Sequence, residues 1–199
     1  LGHNIFNPAL VGRAFVQASW PVAITTFAFD GKAGATVLDA MKRGIPLSDA
    51  LIENTNQYVD AFLGQMGGCL GETSSLALLL GGAYLIYKKH IDWKVPAVMI
   101  GTVFVLTWAM GADPLMQIFS GGLFLGAFFM ATDMVTSPTT SKGRVVFALG
   151  LGILISLIRM KGGYPEGTAY AILIMNGVVP LIDRYIRPKK FGGVSKNGK

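Results

Sequence analysis

Charged residues are scarce in this chain. Only 14% of its 199 residues are Asp, Glu, Lys or Arg, whereas 52% are apolar. A soluble domain usually carries about 25% charged residues, so this composition does not fit that class. Glycine is abundant, at 26 residues, and high glycine with low charge is typical of helical membrane proteins. We therefore expect an all-α, polytopic membrane protein.

Cysteine and histidine are scarce as well. Cys69 is the only cysteine, so an internal disulfide is excluded. An iron–sulfur cluster usually needs four thiolates, and this chain cannot supply them alone. His3 and His90 stand far apart, and no zinc-binding spacing exists. We expect no metal site, and we interpret Cys69 as a small packing residue.

Several other functional classes find no support in the sequence. It contains no hydrolytic triad and no phosphate-binding glycine loop between a strand and a helix. The net charge of +6 could favour nucleic acid, but the basic residues do not cluster in one soluble segment, and we exclude that partner. Asn7, Pro8 and Arg13 interrupt the opening apolar run, so no secretory signal is visible. Because the chain opens with Leu1, we interpret it as the back part of a longer protein.

Apolar runs predict six membrane helices, and several are shorter than the ~20 residues of a full crossing. We expect residues 1–20 to hold one helix (5–19), which ends near Pro21. Residues 21–73 form an outer-side loop region, and residues 187–199 a basic cytoplasmic tail. Residues 74–186 hold five helices. The expected bounds of these five are 74–87, 95–110, 115–131, 145–158 and 168–186.

The segment 37–65 is amphipathic and too polar to cross a bilayer. Ser48 followed by Asp49 is a typical helix start, and Leu47, Leu51 and Ile52 would form its apolar stripe. We expect this segment to lie on the membrane surface.

The basic residues predict an orientation. With the tail in the cytoplasm and alternating spans, the cytoplasmic side carries more than twice as many Lys and Arg as the outer side, which fits the positive-inside rule. Thr36 then lies on the outer side, and the carboxyl terminus is cytoplasmic. The outer residues are Lys32, Lys42, Arg43, Arg159 and Lys161, and the cytoplasmic ones are Lys88, Lys89, Lys94, Lys142, Arg144, Arg184, Arg187, Lys189, Lys190, Lys196 and Lys199.

The polar run 30–36 reads Asp-Gly-Lys-Ala-Gly-Ala-Thr. Gly31 and Gly34 permit a sharp turn, and Ala33 and Ala35 leave the hydroxyl of Thr36 uncrowded. On these seven residues alone, an ordinary surface turn is the better interpretation.

The run ending Gly34-Ala35-Thr36, with Asp30 six residues before the threonine, resembles the flavinylation motif of a family of bacterial respiratory proteins. The family comprises the D component of the Rnf complex and the B component of the Na⁺-translocating NADH:quinone oxidoreductase. This chain departs from the family's usual pattern in having Ala33, instead of Ser or Thr, before Gly34.

Three further segments are similar to the same family, and the resemblance to the D component of the Rnf complex is the greater. One is Gly68-Cys69-Leu70-Gly71-Glu72-Thr73-Ser74, which matches a Gly-x-x-Gly-Glu-x-Ser signature. The others are Asn4 to Ala9 and the polar break from Ala131 to Pro138. These matches run from the first residues to about Thr140.

The resemblance implies a fold of two inverted five-helix repeats, related to urea-transporter-like proteins. Helix 5–19 would close the first repeat, and residues 74–186 would form the second. It also implies FMN attached covalently to Thr36 by a flavin transferase, with Asp30, Gly34 and Ala35 in the same site. Lys32, Lys42 or Arg43 could balance the phosphate charge.

The implied role is one redox step in a complex of the bacterial inner membrane, which couples electron transfer between ferredoxin and NAD to Na⁺ or H⁺ translocation. Its other subunits, including iron–sulfur and flavin subunits, would be the partners, along with the lipid membrane. Two rivals stay open: a transporter or channel of the same repeat fold without a redox role, and a membrane scaffold.

Glu72 and Asp133 each lie at a break in an apolar run. Breaks at membrane depth usually line a cavity or ligand site, and carboxylates there mark an ion path or a ligand. We expect the two to flank one polar cavity, as an ion path or as part of a second flavin site, which the resemblance implies for riboflavin. The alternative is that both cap helices at the water interface.

Overall fold

The computed structural model describes residues 4–25, 27–29, 32–34, 36–44, 46, 56–69, 71, 73–163 and 167–186. The expected helix start at Ser48 and the tail from Arg187 lie outside the described residues. Helices dominate, as the composition predicts. The one addition within the described ranges is a small antiparallel ribbon of two strands, β1 (Phe27–Phe29) and β2 (Lys32–Gly34).

The described residues of the amino-terminal third include four short helices. They are α1 (Pro8–Ser19), α2 (Pro21–Thr25), α3 (Val37–Arg43) and α4 (Gln57–Leu63). Asn7 starts α1, because its side-chain oxygen accepts from the N–H of Ala9 at 3.0 Å and Pro8 takes the first helical position. Gly44 ends α3 with a left-handed φ of 69°.

The remaining helices match the five predicted spans, with one difference. The first two are α5 (Ser75–Tyr87) and α6 (Lys94–Ala109), and the last two are α9 (Ser141–Lys161) and α10 (Thr168–Tyr185). The third span is broken into α7 (Pro114–Phe119), α8 (Leu123–Leu125) and a π-helical turn (Gly126–Met130). Gly121 causes the break, because its φ of 69° cannot continue a helix.

A single apolar core holds α5 to α10 and α1 together, with Leu10 of α1 buried in it. The helices α6 and α9 approach closely at Gly152, where an added Cβ would lie 2.5 Å from the Cβ of Thr102. Small residues at such contacts are typical of membrane helix packing. Among the described helices, only α9 is both long and apolar enough to cross a membrane, while α5 and α6 are shorter apolar helices.

The polar ends of the bundle are distinct. Lys94 at the start of α6 donates to the Ser141 hydroxyl at the start of α9, at 2.8 Å. At the other end, Lys42 of α3 donates to the carbonyl of Gly162, just after α9. We call the first the Asp133 end and the second the Thr36 end, after the polar segments that they carry.

Candidate functional site

Thr36 is the residue that starts α3. The ribbon pairs Phe29 with Lys32 and Phe27 with Gly34, so the chain reverses direction there. Strand β2 ends at Gly34, two residues before Thr36. Its hydroxyl oxygen accepts from the N–H of Asp39 at 3.4 Å, which is an N-cap contact. Thr36 is half-buried, and its hydroxyl proton takes no part in that contact.

A small second core fixes the backbone on which Thr36 stands. It is formed by buried residues of α3, α4, the loop after α4 and α7. Its members are Val37, Ala40, Ala61, Met66 and Met116. Because the two residues that follow Thr36 are 1% and 4% exposed, the start of α3 is held against the bundle.

Thr36 opens onto a small pocket that contains part of a second family-like segment. Gly67, Gly68 and Thr73 line this pocket together with Gly121 of the helix break. The structure therefore brings together two segments that the sequence singled out separately, at positions 36 and 68–74. Glycine lining leaves backbone groups accessible to a ligand, since no side chain covers them.

Arg159 lies behind this pocket, and sequence reasoning missed its role. The sequence predicted that Arg159 lies in an outer loop. In the structure it belongs to the last turn of α9, and only 4% of it is exposed. Its guanidinium donates to the carbonyl of Gln117 at 2.5 Å and to that of Ser120 at 3.4 Å. Its Nη2 atom also lies 3.3 Å from the Cβ that a side chain at Gly121 would have. The only signal in the sequence is a cation that ends a long apolar run.

The basic residues suggested for a phosphate partner are engaged in the structure. Arg43 and Asp39 form an ion pair at 2.9 Å one helical turn apart, and Lys42 reaches the Gly162 carbonyl. The side chains of Arg43 and Lys42 are both exposed. Contacts between exposed polar groups are weak, because water competes for the same groups, so either side chain can change partner. The side chain of Lys32 lies outside the described part of the chain, as do Asp30 and Ala35.

Tyr58 and Asp113 link α4 to α7 at the Thr36 end. The phenol of Tyr58 donates to Asp113 Oδ2 at 2.6 Å, while Asp113 Oδ1 accepts from the backbone at the start of α7. The hydrogen bond to Asp113, and then its negative charge, raise the pKa of Tyr58 above its ordinary value.

Asp133 lies at the opposite end of the bundle, and its carboxylate serves its own turn. One oxygen accepts from the N–H of Val135 at 3.3 Å, and the other from the hydroxyl of Thr136 at 3.2 Å. This is the pattern of an aspartate that stabilises a local turn. It matches the capping alternative for Asp133 more closely than a carboxylate aimed into a cavity.

Neighbouring polar contacts hold the Asp133 end together. Asp92 pairs with Arg144 at 3.2 Å, and Asp183 accepts from the hydroxyl of Thr139 at 3.1 Å. Beside them lies a cavity of about 320 Å³, lined in part by His90, Asp92, Thr132 and Arg144. The segment after the π-helical turn is thus tied to the starts of α6 and α9 and to the end of α10.

Glu72 lies outside the described residues, so the cavity expected for Glu72 and Asp133 stays a prediction. Among the described residues, Gly71 and Thr73 precede the start of α5, whereas Thr132 lines a cavity with His90, beyond the end of α5.

Comparison with known proteins identifies relatives along nearly the whole chain. The model of the NQR2, RnfD, RnfE family matches residues 1–192. The chain is 51% identical to the D component of the proton-translocating ferredoxin:NAD(+) oxidoreductase complex of Clostridium ljungdahlii, with 96% of this chain and 62% of the relative aligned.

Two further relatives carry similar names. The chain is 44% identical to the D component of the Na(+)-translocating ferredoxin:NAD(+) oxidoreductase complex of Acetobacterium woodii, with 96% of this chain and 60% of the relative aligned. It is 38% identical to the D component of the ion-translocating oxidoreductase complex of Halorhodospira halophila, with 96% and 64% aligned. The chain thus spans less than two thirds of the length of these relatives.

Proposed function

The chain belongs to the NQR2, RnfD, RnfE family, and from this premise we propose that it is the electron-carrying part of a membrane complex with FMN attached covalently to Thr36. That complex would couple electron transfer between ferredoxin and NAD to Na⁺ or H⁺ translocation. The partners would be the other subunits, including iron–sulfur and flavin subunits, and a flavin transferase. The names of the relatives support the redox and translocation roles.

The observation that carries the FMN assignment is the position of Thr36. Its half-buried hydroxyl stands at a helix start that buried residues hold in place, beside a pocket lined with glycines. These residues fit a group joined through a phosphate, since Thr36 Oγ1 can form the bond. The pocket itself is only about 10 Å³, so the phosphate and the flavin would lie outside it. When bound, FMN supplies one- and two-electron redox chemistry.

The protein's own residues would then position the carrier. Val37 and Leu38 hold the attachment point, and the pocket residues Gly68 and Thr73 lie beside the new phosphate. Arg43 can exchange its exposed contact with Asp39 for a contact with that phosphate, since a charge-assisted bond to phosphate is stronger than an exposed ion pair.

Attachment is tested by mass spectrometry of the protein co-expressed with an active flavin transferase. The peptide containing Thr36 should gain the mass of FMN minus water. Thr36→Val should abolish the gain, because no hydroxyl remains, whereas Thr36→Ser keeps both the hydroxyl and the cap. Thr73→Val is the matched control, since it removes a hydroxyl from the same pocket and should leave the FMN in place.

An unmodified Thr36 peptide would overturn the assignment and favour the rival transporter or channel without a redox role. FMN found on Thr73 in place of Thr36 would keep the electron-carrier role but move the site.

The location of the site and a role for the two carboxylates are further parts of this proposal. The bacterial inner membrane, with Thr36 on its outer side, is supported by the gathering of Lys88, Lys89, Lys94, Lys142 and Arg144 at or near the opposite end. Glu72 and Asp133 are proposed to serve an ion path or a second flavin, riboflavin, on the grounds of their place at breaks in apolar runs.

A further inference from the structure

An apolar groove runs along the outside of α6. Its walls include Trp93, Ala97, Gly101 and Val105, with Ile86 of α5 on one side, and it has a volume of about 570 Å³. Buried residues Ile118 and Phe128 form its base. This volume lies within the range of ordinary ligand sites, and neither the flavin site nor the polar contacts of the bundle use it.

The groove is open toward the surroundings of the bundle. Trp93 is 59% exposed and Val105 57% exposed, and no atom lies within 4 Å of the Cβ that a side chain at Gly101 would have. A surface of this kind inside a membrane is covered by lipid or by another protein segment.

The length of the groove favours a lipid chain. Val105 lies twelve residues after Trp93, about 18 Å along the helix, which is close to the ~15 Å of one leaflet. A partner helix that crosses the bilayer has an apolar length of about 30 Å, so it would extend well beyond this groove. An acyl chain belongs to one leaflet and matches the groove.

Positive charge gathers at one end of the groove. Lys88 and Lys89 are exposed just before Trp93, and Lys94 follows it. The Lys88 amine lies 5.8 Å from the ring centre of Tyr84, as lysines and aromatic residues do at the membrane interface. Asp92, the one carboxylate in this segment, is already paired with Arg144. The end near Trp93 is therefore complementary to an anionic headgroup.

We propose that this groove binds a phospholipid with an anionic headgroup. Its acyl chain lies along α6 from Trp93 to Val105, and its headgroup contacts Lys88 and Lys89, because the Lys94 amine already donates to the Ser141 hydroxyl. This site does not depend on the flavin, and it stands if Thr36 proves unmodified.

Trp93 supplies a local probe for this site. The full protein, with Trp20→Phe and Trp108→Phe, is placed in phosphatidylcholine vesicles that contain a small fraction of lipid brominated on its acyl chains. Brominated phosphatidylglycerol should quench Trp93 fluorescence more strongly than brominated phosphatidylcholine at the same mole fraction. We expect a difference of roughly fivefold, the preference that one interfacial lysine contributes.

Two variants test the two parts of the site. Gly101→Leu fills the groove and should remove the preference, whereas Gly12→Leu, the same change at an open helical position of α1, should retain it. Replacing both Lys88 and Lys89 with Gln should make the two brominated lipids equally effective.

Equal quenching of Trp93 by both lipids in the unaltered groove would overturn the proposal. Protection of Trp93 from both lipids would also overturn it, because a protein segment would then cover the groove. Retention of the preference in Gly101→Leu would show that the lipid binds elsewhere.

Discussion

The two polar ends of the bundle are built in different ways. At the Thr36 end, a small apolar core holds a helix start, and among the described residues the hydroxyl of Thr36 makes one long capping contact, at 3.4 Å. At the Asp133 end, both oxygens of the Asp133 carboxylate accept hydrogen bonds, one from Val135 and one from Thr136. The position of Thr36 thus depends mainly on apolar packing, whereas Asp133 is fixed by its own hydrogen bonds.

This difference fits the proposed attachment at Thr36 and a supporting role for the Asp133 end. A group that reacts with a transferase must be held in place and still be accessible, and Thr36 is both anchored at a helix start and half-exposed. The Asp133 end joins the starts of α6 and α9 to the end of α10 through Asp92, Arg144 and Asp183, and this suits a rigid closure of the bundle.

The largest expected effect is an all-or-none difference in sidedness between the two ends. In a Cys69→Ala background, Arg43→Cys should react in intact cells with a thiol reagent that cannot cross the membrane. Lys142→Cys should react only after the cells are permeabilised. Both positions are exposed and each change removes one positive charge, so the pair is matched. The reverse pattern would place Thr36 in the cytoplasm and contradict the proposed orientation.

A smaller effect is expected at Asp133. Asp133→Ala should lower the free energy of unfolding by about 0.5–2 kcal/mol, the usual result of losing a capping carboxylate. Asp133→Asn keeps an oxygen for the Val135 N–H and should cost less, and FMN on Thr36 should persist in both variants. The stability is measured by chemical denaturation in detergent.

Ion transport by the assembled complex then decides between the two roles of Asp133. If Asp133 serves an ion path, Asp133→Asn should lower ion transport per folded complex, whereas Thr136→Val, which keeps the charge, should not. Unchanged transport in Asp133→Asn would assign the carboxylate to the turn alone.

The smallest expected effect concerns Tyr58 at the Thr36 end. The Tyr58 phenol is protonated at neutral pH, as any tyrosine is, and Asp113 raises the pKa of Tyr58 further above the ordinary value. The contact between α4 and α7 is fully present below the ordinary tyrosine pKa of about 10, and it is lost as the pH rises through the higher folded value. The phenolate absorbance lost in Tyr58→Phe should therefore appear late in an alkaline titration.

Asp113→Asn is the control for this titration, because it removes the charge but keeps an oxygen at the start of α7. It should shift the Tyr58 titration to lower pH. An unchanged titration would show that Asp113 does not set the pKa of Tyr58.

Apolar runs predicted most of the helices, because long stretches without charge leave the chain few alternatives in a membrane. They did not predict the break at Gly121, where the sequence 115–131 is almost continuously apolar. Adjacent glycines such as Gly121 and Gly122 are also typical of a close contact between two unbroken helices, whereas Gly121 takes a left-handed φ. A glycine permits both outcomes, and only packing against Leu38 and Arg159 distinguishes them.

The candidate site was predictable in part for a similar reason. Thr36 was proposed because the run ending Gly34-Ala35-Thr36 resembles a family motif, since the seven residues alone favour an ordinary surface turn. Its proximity to Gly68 and Thr73 depends on contacts between segments more than thirty residues apart. The environment of Arg159 likewise depends on carbonyl groups of α7, about forty residues earlier, and no local pattern reports such partners.

The helix α9 connects the two ends directly. It runs unbroken for 21 residues, about 31 Å, with Arg144 near its start and Arg159 near its finish. Arg144 pairs with Asp92 at the Asp133 end. Arg159 donates to the carbonyl groups of Gln117 and Ser120, next to the helix break at the Thr36 pocket. Because α9 is one unbroken helix with an arginine contact at each end, a tilt of α9 would move the Asp133 end and the Thr36 end together.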